Sequence, residues 1–359
     1  MAKAPLRVAV AGTGWRAEFF LRACASLPER FKLVGIYYHS EAGKARVSGY
    51  NVPLAENLEA LAALKPDYIV LALSGNASFD ALAFFAARDI PVLCETFVAD
   101  SVDEMNARYE SLKSMRVQFA EQYQFQPLNA ARLALAESGV LGKVYYLRLS
   151  IPTRHHPASL VRMFLKTGDR LPVIRAVSFS HKALKGPGRD GDPKKEETFD
   201  AAHEIVLYDY GDVQALNDFE AMQHRSFMRS NDFLVRGERG EIKNERVTYM
   251  LDALTPAEFE LKREMTGAGV DLQGLFLRGV SGGQAGWLYK NEFMPARLYD
   301  DELAVASCME GMRAYLETGK EFYGLKDELT DMYYARLTAL ALETGQPVQA
   351  LPQSWMIRS

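Results

Sequence analysis

Apolar and polar positions form alternating blocks up to about residue 120, where short apolar runs are separated by stretches of helical periodicity. Runs such as residues 68–73 are apolar throughout, which is typical of parallel strands covered by helices on both faces. The pattern predicts a doubly wound parallel sheet, and such sheets bind ligands at the carboxyl ends of their strands. Its strands are predicted at residues 7–11, 33–38, 68–73, 91–94 and 117–120.

Beyond Pro127 the pattern changes to longer β-rich runs separated by turn residues, which predicts an open, mainly antiparallel sheet. The stretch 185–197 is rich in Gly, Pro and charged residues, and we expect a mobile loop there. The strands of this second sheet are predicted at residues 144–150, 173–181, 204–208, 213–220 and 233–236.

Helices flank the second set of strands. One is predicted at residues 128–138, and two amphipathic helices, 300–318 and 326–344, end the chain. We therefore expect an α/β protein of two domains. Residues 1–122 form the doubly wound domain, and residues 123–359 form an α+β domain.

Composition narrows the range of partners. The 359 residues carry a formal net charge of −4, which gives no electrostatic reason to expect nucleic acid or an anionic membrane. We find no run of about 18 apolar residues and no apolar secretion segment, so we expect a cytoplasmic protein with a small-molecule substrate. Cys24, Cys94 and Cys308 lack metal-like spacing, so we expect neither disulfides nor a metal site.

A glycine-rich turn follows the first predicted strand and opens a predicted helix, 17–27. Gly12 would allow the tight turn and Gly14 would let the backbone approach a pyrophosphate, while Ala17 replaces the third glycine of the dinucleotide fingerprint. The helix N-terminus favours a phosphate. The alternative is a purely structural turn. The cofactor-binding candidates here are Gly12, Thr13, Gly14, Trp15, Arg16 and Ala17.

The residues after the second strand bear on the choice of cofactor. Folds that prefer NAD usually carry an acid there for the ribose 2′-hydroxyl, but this chain has Tyr38-His39-Ser40. Since Lys44 and Arg46 follow, a 2′-phosphate is electrostatically acceptable. We expect NAD or NADP as cofactor, with a slight preference for NADP. The alternative is that His39 and Lys44 are solvated surface residues.

Polar residues also follow the other predicted parallel strands. They are Ser74 and Asn76 after the strand that ends at Leu73, Glu95 and Thr96 after the next, and Gln122 and Tyr123 at the domain junction. All of these except Tyr123, together with Leu73, are candidate cofactor-binding residues. Together with the turn at residues 12–17 and the later turn at residues 139–144, these segments resemble the glucose-fructose oxidoreductase/inositol dehydrogenase (Gfo/Idh/MocA) family. The resemblance implies a Rossmann domain, an open-sheet domain that forms homodimers or homotetramers, and oxidation of a sugar or polyol hydroxyl.

One departure from that family concerns the chemistry. Its members carry Glu-Lys-Pro after the fifth strand, and the lysine helps to move the hydroxyl proton, whereas this chain reads Glu95-Thr96-Phe97. Threonine cannot serve as the base because its pKa is far too high. The chain therefore resembles a subgroup without the lysine. Glu95 is a candidate catalytic residue that orients the nicotinamide or a substrate hydroxyl, or it is a cap for the following helix.

The segment Arg154-His155-His156-Pro157-Ala158-Ser159-Leu160-Val161-Arg162 supplies the best substitute for the lysine. His156 is the predicted general acid or base, because histidine titrates near neutrality. Arg154, His155 and Arg162 are predicted to bind substrate, with the alternative that Arg162 pairs with an internal acid. Tyr123 is a further candidate for catalysis and substrate binding, or it is a core aromatic residue.

These observations predict an NAD(P)-dependent oxidoreductase that moves a hydride between the cofactor and a sugar, polyol or related compound, with His156 as acid/base. Two other functions fit the same residues. One is a redox-neutral lyase or glycosidase that oxidises its substrate only transiently. The other is a regulatory protein that binds the dinucleotide and has lost catalysis.

Overall fold

The computed structural model describes residues 4–96, 101–189, 191–267 and 273–357, and it divides the chain into two compact units. The first unit comprises residues 1–130, 263–280 and 289–329, and the second comprises the remaining stretches, 131–262, 281–288 and 330–359. This division differs from the expected domains, 1–122 and 123–359. The reason is that later parts of the chain return to complete the core of the first unit.

The first unit contains a six-stranded parallel sheet with the order β3-β2-β1-β4-β5-β6. The five expected strands are present with bounds within two residues of prediction, whereas the short β3 was not predicted. The strands are β1 (Leu6–Ala11), β2 (Phe31–Tyr37), β3 (Leu54–Ala55), β4 (Tyr68–Leu71), β5 (Val92–Cys94) and β6 (Val117–Phe119). The order reverses at β1, so the carboxyl ends of β1 and β4 flank the crevice that binds ligands in such sheets.

Five helices connect these strands: α1 (Ala17–Ser26), α2 (Glu41–Val47), α3 (Leu58–Ala62), α4 (Asn76–Ala86) and α5 (Val102–Leu112). Helix α1 has buried side chains on more than one face, among them Phe19, Phe20 and Cys24. It packs on the sheet and also against a later helix, α8 (Asp300–Thr318). The apolar side of α8, with Met309 and Met312, belongs to the same core cluster. This packing explains why residues distant in sequence join the first unit.

Three further strands form a small sheet with the order β15-β16-β17, and most of their residues belong to the first unit. They are β15 (Lys262–Met265), β16 (Leu277–Ser281) and β17 (Trp287–Lys290). The helices α6 (Pro127–Glu137) and α9 (Leu325–Thr344) each contribute residues to both units. The predicted helices at residues 128–138, 300–318 and 326–344 are thus confirmed to within one residue at each end.

The second unit contains a nine-stranded sheet with the order β14-β13-β12-β11-β7-β10-β9-β8-β18. Most neighbours are antiparallel as expected, but β7 and β10 pair in parallel. The strands are β7 (Val144–Leu149), β8 (Val173–Leu184), β9 (Thr198–Asp209), β10 (Gln214–Glu220), β11 (Phe233–Gly237), β12 (Gly240–Lys243), β13 (Arg246–Met250), β14 (Pro256–Glu260) and β18 (Val348–Gln349).

The stretch 185–197 connects β8 to β9 as the loop of a long hairpin. The amide of Lys185 donates to the carbonyl of Glu197 at 2.8 Å, and Gly188 and Gly191 form an isolated bridge within the loop. Asp190 lies outside the described residues. The mobility expected of this loop stays a prediction.

Helix α7 (His155–Leu165) follows β7 and packs on it. Its buried side includes Leu160, Val161 and Phe164, a spacing that turns one face of the helix toward the sheet. Within the described ranges, no helix combines the length and the apolar character that crossing a membrane requires.

Candidate dinucleotide and substrate site

The glycine turn of the first unit lies directly after β1. Gly12 has a φ of +130°, and a Cβ added to it would lie 2.9 Å from the carbonyl carbon of Ala72 and closer still to the oxygen. Its amide donates to the carbonyl of Tyr37 at 3.1 Å. Both the backbone conformation and the close approach require glycine at this position.

The turn is fixed from one side by α2. The Arg46 guanidinium donates to the carbonyl of Thr13 at 2.7 Å, and a Cβ on Gly43 would collide with the Thr13 hydroxyl. Gly14 differs from Gly12, because a Cβ there would meet nothing within 4 Å. Gly14 therefore faces open space of the kind a bound pyrophosphate needs.

The N-terminus of α1 receives no side-chain cap, since the residue at the cap position, Arg16, makes no capping hydrogen bond. Ala17 is fully buried at the start of the helix. Trp15 is 38 % exposed, and its ring meets that of Phe19 edge-on at 4.7 Å. An uncapped helix start beside a glycine turn is suited to hold an anionic group such as a phosphate.

Charges of both signs lie at the carboxyl end of β2. The Tyr38 hydroxyl donates to Glu56 at 3.1 Å, and the Lys44 amine lies 5.2 Å from the centre of the Tyr38 ring. Ser40 caps α2, because its hydroxyl oxygen accepts the amide of Gly43 at 3.1 Å. His39 is exposed. The carboxylate of Glu56 follows β3, so local sequence inspection after β2 did not reveal it.

The segment after β4 brings Leu73 and Ser74 to the same edge of the sheet. Leu73 is partly buried and Ser74 is exposed, and Gly75 has a φ of +59° at the start of α4. Asn76 begins the helix, and its side chain lies outside what the structure describes. This loop is adjacent in the sheet order to the glycine turn, as a dinucleotide site requires.

Glu95 follows β5, and its carboxylate accepts the Nε of Arg16 at 2.7 Å. Burial raises the pKa of Glu95 above its ordinary value of 4.5, although the attraction of Arg16 lowers it. Burial lowers the pKa of Arg16, but the attraction and hydrogen bond of Glu95 together outweigh that effect and raise it. Thr96 is partly buried, and Phe97 lies outside the described residues.

Gln122 and Tyr123 follow β6. Gln122 is buried, and the backbone of Tyr123 is fixed at both ends: its amide donates to Glu121 at 3.3 Å and its carbonyl accepts Asn129 at 3.0 Å. The ring of Tyr123 is partly exposed. The predicted residues of the first unit therefore all follow strands of its parallel sheet.

The predicted substrate residues of the second unit lie on α7 or just before it. Arg154 binds Glu204 of β9 through two hydrogen bonds of 2.6 and 3.1 Å, which raise the pKa of Arg154. His155 and His156 open the helix with their ring centres 4.0 Å apart. The Ser159 hydroxyl donates to the carbonyl of His156 at 2.9 Å.

Arg162 pairs with an internal acid. Its guanidinium makes hydrogen bonds of 2.7 and 3.2 Å to Asp331 of α9, and the two side chains are 15 % and 3 % exposed. The sequence allowed this pairing but did not reveal which acid takes part, because Asp331 is 169 positions away. Helix α7 was also missed, although the spacing of Leu160, Val161 and Phe164 was a usable signal.

Comparison with known protein families identifies a match for the first unit. Residues 6–123 match the model of the oxidoreductase family GFO_IDH_MocA, which describes its NAD-binding Rossmann fold. For residues 6–123, the match confirms the family resemblance predicted from the motifs, and it identifies the parallel sheet as the NAD-binding fold of these oxidoreductases. No curated protein matches the chain.

Solved structures share the fold over nearly the whole chain. A levoglucosan dehydrogenase in complex with NADH and levoglucosan has a TM-score of 0.68 at 12 % identity, covering 96 % of this chain and 99 % of its own. A myo-inositol dehydrogenase from Corynebacterium glutamicum has a TM-score of 0.66 at 14 % identity, covering 97 % and 99 %. An oxidoreductase from Agrobacterium radiobacter with NAD+, L-tartaric acid and magnesium has a TM-score of 0.64 at 15 % identity, covering 96 % and 98 %.

Proposed function

We propose that this protein is an NAD(P)-dependent dehydrogenase or reductase that acts on the CH–OH group of a sugar, polyol or related compound. The observation that carries the proposal is the Gly12 turn, which leads into the uncapped start of α1 within the segment that matches the NAD-binding family. The substrate class is supported by the levoglucosan and inositol dehydrogenases that share the fold.

The cofactor proposed is NAD or NADP, with a slight preference for NADP. Lys44 and Arg46 favour a 2′-phosphate, because both are cations near the end of β2. Glu56 and Glu41 work against it, since Glu56 accepts the Tyr38 hydroxyl and Glu41 lies 3.9 Å from Lys44. The proposed preference for NADP over NAD is therefore small. Measuring the dissociation constants of both cofactors will decide it.

His156 is proposed as the acid/base. The nicotinamide, when bound, accepts hydride from the carbinol carbon, and the hydroxyl proton must then pass to a group of the protein. Thr96 cannot take that proton, whereas a ring nitrogen of His156 is suited to do so near neutral pH. Glu95 and Tyr123 are proposed to orient the reacting groups at the end of the parallel sheet.

The two arginines are proposed to act beside His156. Arg154 has a 38 % exposed side chain and keeps donors for a substrate oxygen even while it binds Glu204. Arg162 is less exposed and is bound by Asp331, which supports a role in fixing α7 more than direct substrate contact. His155 is proposed to contact substrate next to His156.

The proposal is tested by incubating the protein with NAD+ or NADP+ and a panel of sugars and polyols while the absorbance of reduced nicotinamide is recorded. We expect reduction with at least one substrate, and His156→Ala lowers kcat by about 10²–10⁴-fold. His224→Ala, a histidine outside the predicted site, serves as the matched control. No reduction across a broad panel contradicts the proposal, and full activity of His156→Ala removes that residue from it.

Thr96 supports a second candidate, a redox-neutral lyase or glycosidase in which the cofactor is restored in each cycle. It predicts dinucleotide that copurifies with the protein and product formation without net reduction. A regulatory protein that only binds the dinucleotide predicts binding without any turnover. The panel experiment separates these outcomes when product formation is followed alongside absorbance.

A homodimer or homotetramer formed through the nine-stranded sheet is also proposed. Val177 and Phe179 of β8 are 55 % and 48 % exposed, which is unusual for apolar side chains at the centre of a long strand. Light scattering should give a mass above that of one chain, and Phe179→Asp should lower it. A monomeric wild type contradicts this part of the proposal.

A further inference from the structure

The ion pair between Arg16 and Glu95 crosses the carboxyl edge of the parallel sheet. Arg16 follows β1 and Glu95 follows β5, and β4 lies between these strands in the sheet order. The two side chains nevertheless meet at 2.7 Å and are only 20 % and 13 % exposed. The pair therefore ties together two loops at the edge where doubly wound sheets bind their ligands.

The position of the pair along a bound dinucleotide follows from the topology, and this step rests on the proposed function. The pyrophosphate lies at the start of α1, beside the reversal of strand order at β1. One half of the dinucleotide extends over β2, where Tyr38 and Lys44 lie, so the nicotinamide half extends over β4 and β5. Glu95 directly follows β5 and thus lies at the nicotinamide end.

The hydrogen bonding of the pair is incomplete on both sides. Arg16 uses Nε to hold one carboxylate oxygen of Glu95, and the structure gives the other oxygen no hydrogen bond from any described residue. The Nη2 of Arg16 is buried and also has no partner among the described residues. Arg16 thus holds the carboxylate through one oxygen, while the other oxygen has no hydrogen-bond donor among the described residues and can face a neighbouring charge.

We propose that Arg16 and Glu95 set the preference of the site between oxidised and reduced dinucleotide, with Glu95 as the charge that favours the oxidised form and Arg16 as its positioning residue. The nicotinamide ring carries a positive charge when oxidised and none when reduced. A fixed carboxylate at the nicotinamide end attracts only the oxidised ring, and a buried site strengthens this attraction. The bound cofactor is consequently harder to reduce than it would be without Glu95.

Other charged groups near the pair shift the pKa values of Glu95 and Arg16. Glu121 after β6 repels Glu95 and raises its pKa, as burial does, whereas Arg16 lowers it. Asp301 and the thiol of Cys308, both on α8, lie near enough to Arg16 to raise its pKa. Arg16 is thus the cation that opposes the effects of burial and Glu121 on Glu95, and its removal should raise the pKa of Glu95 further.

The test is the ratio of dissociation constants for the oxidised and reduced cofactor, measured by calorimetry with NAD+ and NADH and with NADP+ and NADPH. In Glu95→Gln we expect oxidised cofactor to lose at least about tenfold in affinity relative to reduced cofactor, or about 1.4 kcal/mol. In Arg16→Met we expect part of the same loss, and the loss should grow as the pH falls, because Glu95 without its cation takes up a proton more readily. Arg16→Lys retains the charge and keeps the wild-type ratio.

Glu110→Gln on α5 is the matched control, because Glu110 forms only an exposed pair with Lys113. It should leave the ratio unchanged. Equal weakening of both cofactor forms in Glu95→Gln and Arg16→Met would mean that the pair is only structural, and this overturns the inference while the proposed function stands. If the wild type binds neither cofactor form, the proposed function and the inference both fail.

Discussion

Gly12 and Ala72 approach so closely that no side chain fits between their backbones: a Cβ on Gly12 would lie 2.9 Å from the carbonyl carbon of Ala72. The same glycine has a φ of +130°. We therefore expect Gly12→Ala to lower the free energy of unfolding by at least about 2 kcal/mol, since strain and overlap with rigid backbone add. Denaturant unfolding measures this loss.

Gly14 provides the matched comparison, because a Cβ there meets nothing within 4 Å. Gly14→Ala should leave stability within about 0.5 kcal/mol of the wild type. It should still weaken dinucleotide binding by about tenfold, because the added methyl group occupies space that a pyrophosphate needs. If Gly14→Ala binds the dinucleotide as tightly as the wild type, the phosphate does not lie against this turn.

The buried pair Arg162–Asp331 should contribute strongly to the stability of the second unit when only one partner is removed. Asp331→Asn leaves the guanidinium without its counter-charge, and we expect a loss of about 3–5 kcal/mol. The exposed pair Lys182–Asp200 gives the control, and Asp200→Asn should cost less than about 1 kcal/mol. Denaturant unfolding measures both losses. If Asp331→Asn and Asp200→Asn lose similar stability, the Arg162–Asp331 pair is not buried as described.

Glu95 should make the free energy of unfolding depend on pH. Its pKa in the folded protein is raised above 4.5, so its contribution is fully present below about that pH and is lost as the pH rises through the raised pKa. The wild type should therefore gain stability relative to Glu95→Gln as the pH falls from about 7 toward about 4. A difference that stays constant over this range, or grows with rising pH, contradicts the raised pKa.

Cofactor preference should depend on Lys44. Lys44→Met is expected to raise the dissociation constant for NADPH by about tenfold and to leave that for NADH nearly unchanged, because only NADPH carries the 2′-phosphate. Glu56→Gln should act in the opposite direction by removing a nearby negative charge. Lys113→Met, at the position directly after α5, is the control. If the wild type binds NADH far more tightly than NADPH, the proposed preference is wrong.

The parallel sheet of the first unit could be predicted because its signals are local. Continuous apolar runs marked β1, β2, β4, β5 and β6, and the residues of the Gly12 turn adjoin β1 in sequence. The short β3 escaped prediction because two residues carry no periodicity. Glu56, which follows β3 and meets Tyr38, was missed for the same reason.

Pairings between distant segments could not be read from the sequence. Asp331 meets Arg162 only after α7 and α9 have packed, and α8 joins the first unit only because its apolar side fits α1. Likewise, Arg16 and Glu95 were each singled out by their positions after strands, but their ion pair depends on the strand order. Local patterns predict elements, whereas the order of strands and the packing of helices decide which side chains meet.

The most direct test of the proposed function is transfer of a labelled hydride. A sugar or polyol that the protein turns over is deuterated at its carbinol carbon and incubated with NAD+ or NADP+, and the cofactor is then examined by mass spectrometry and NMR. Hydride transfer predicts one deuterium at C4 of the reduced nicotinamide, accumulating with the oxidised product. Product formed while no deuterium accumulates in the cofactor would contradict a net dehydrogenase.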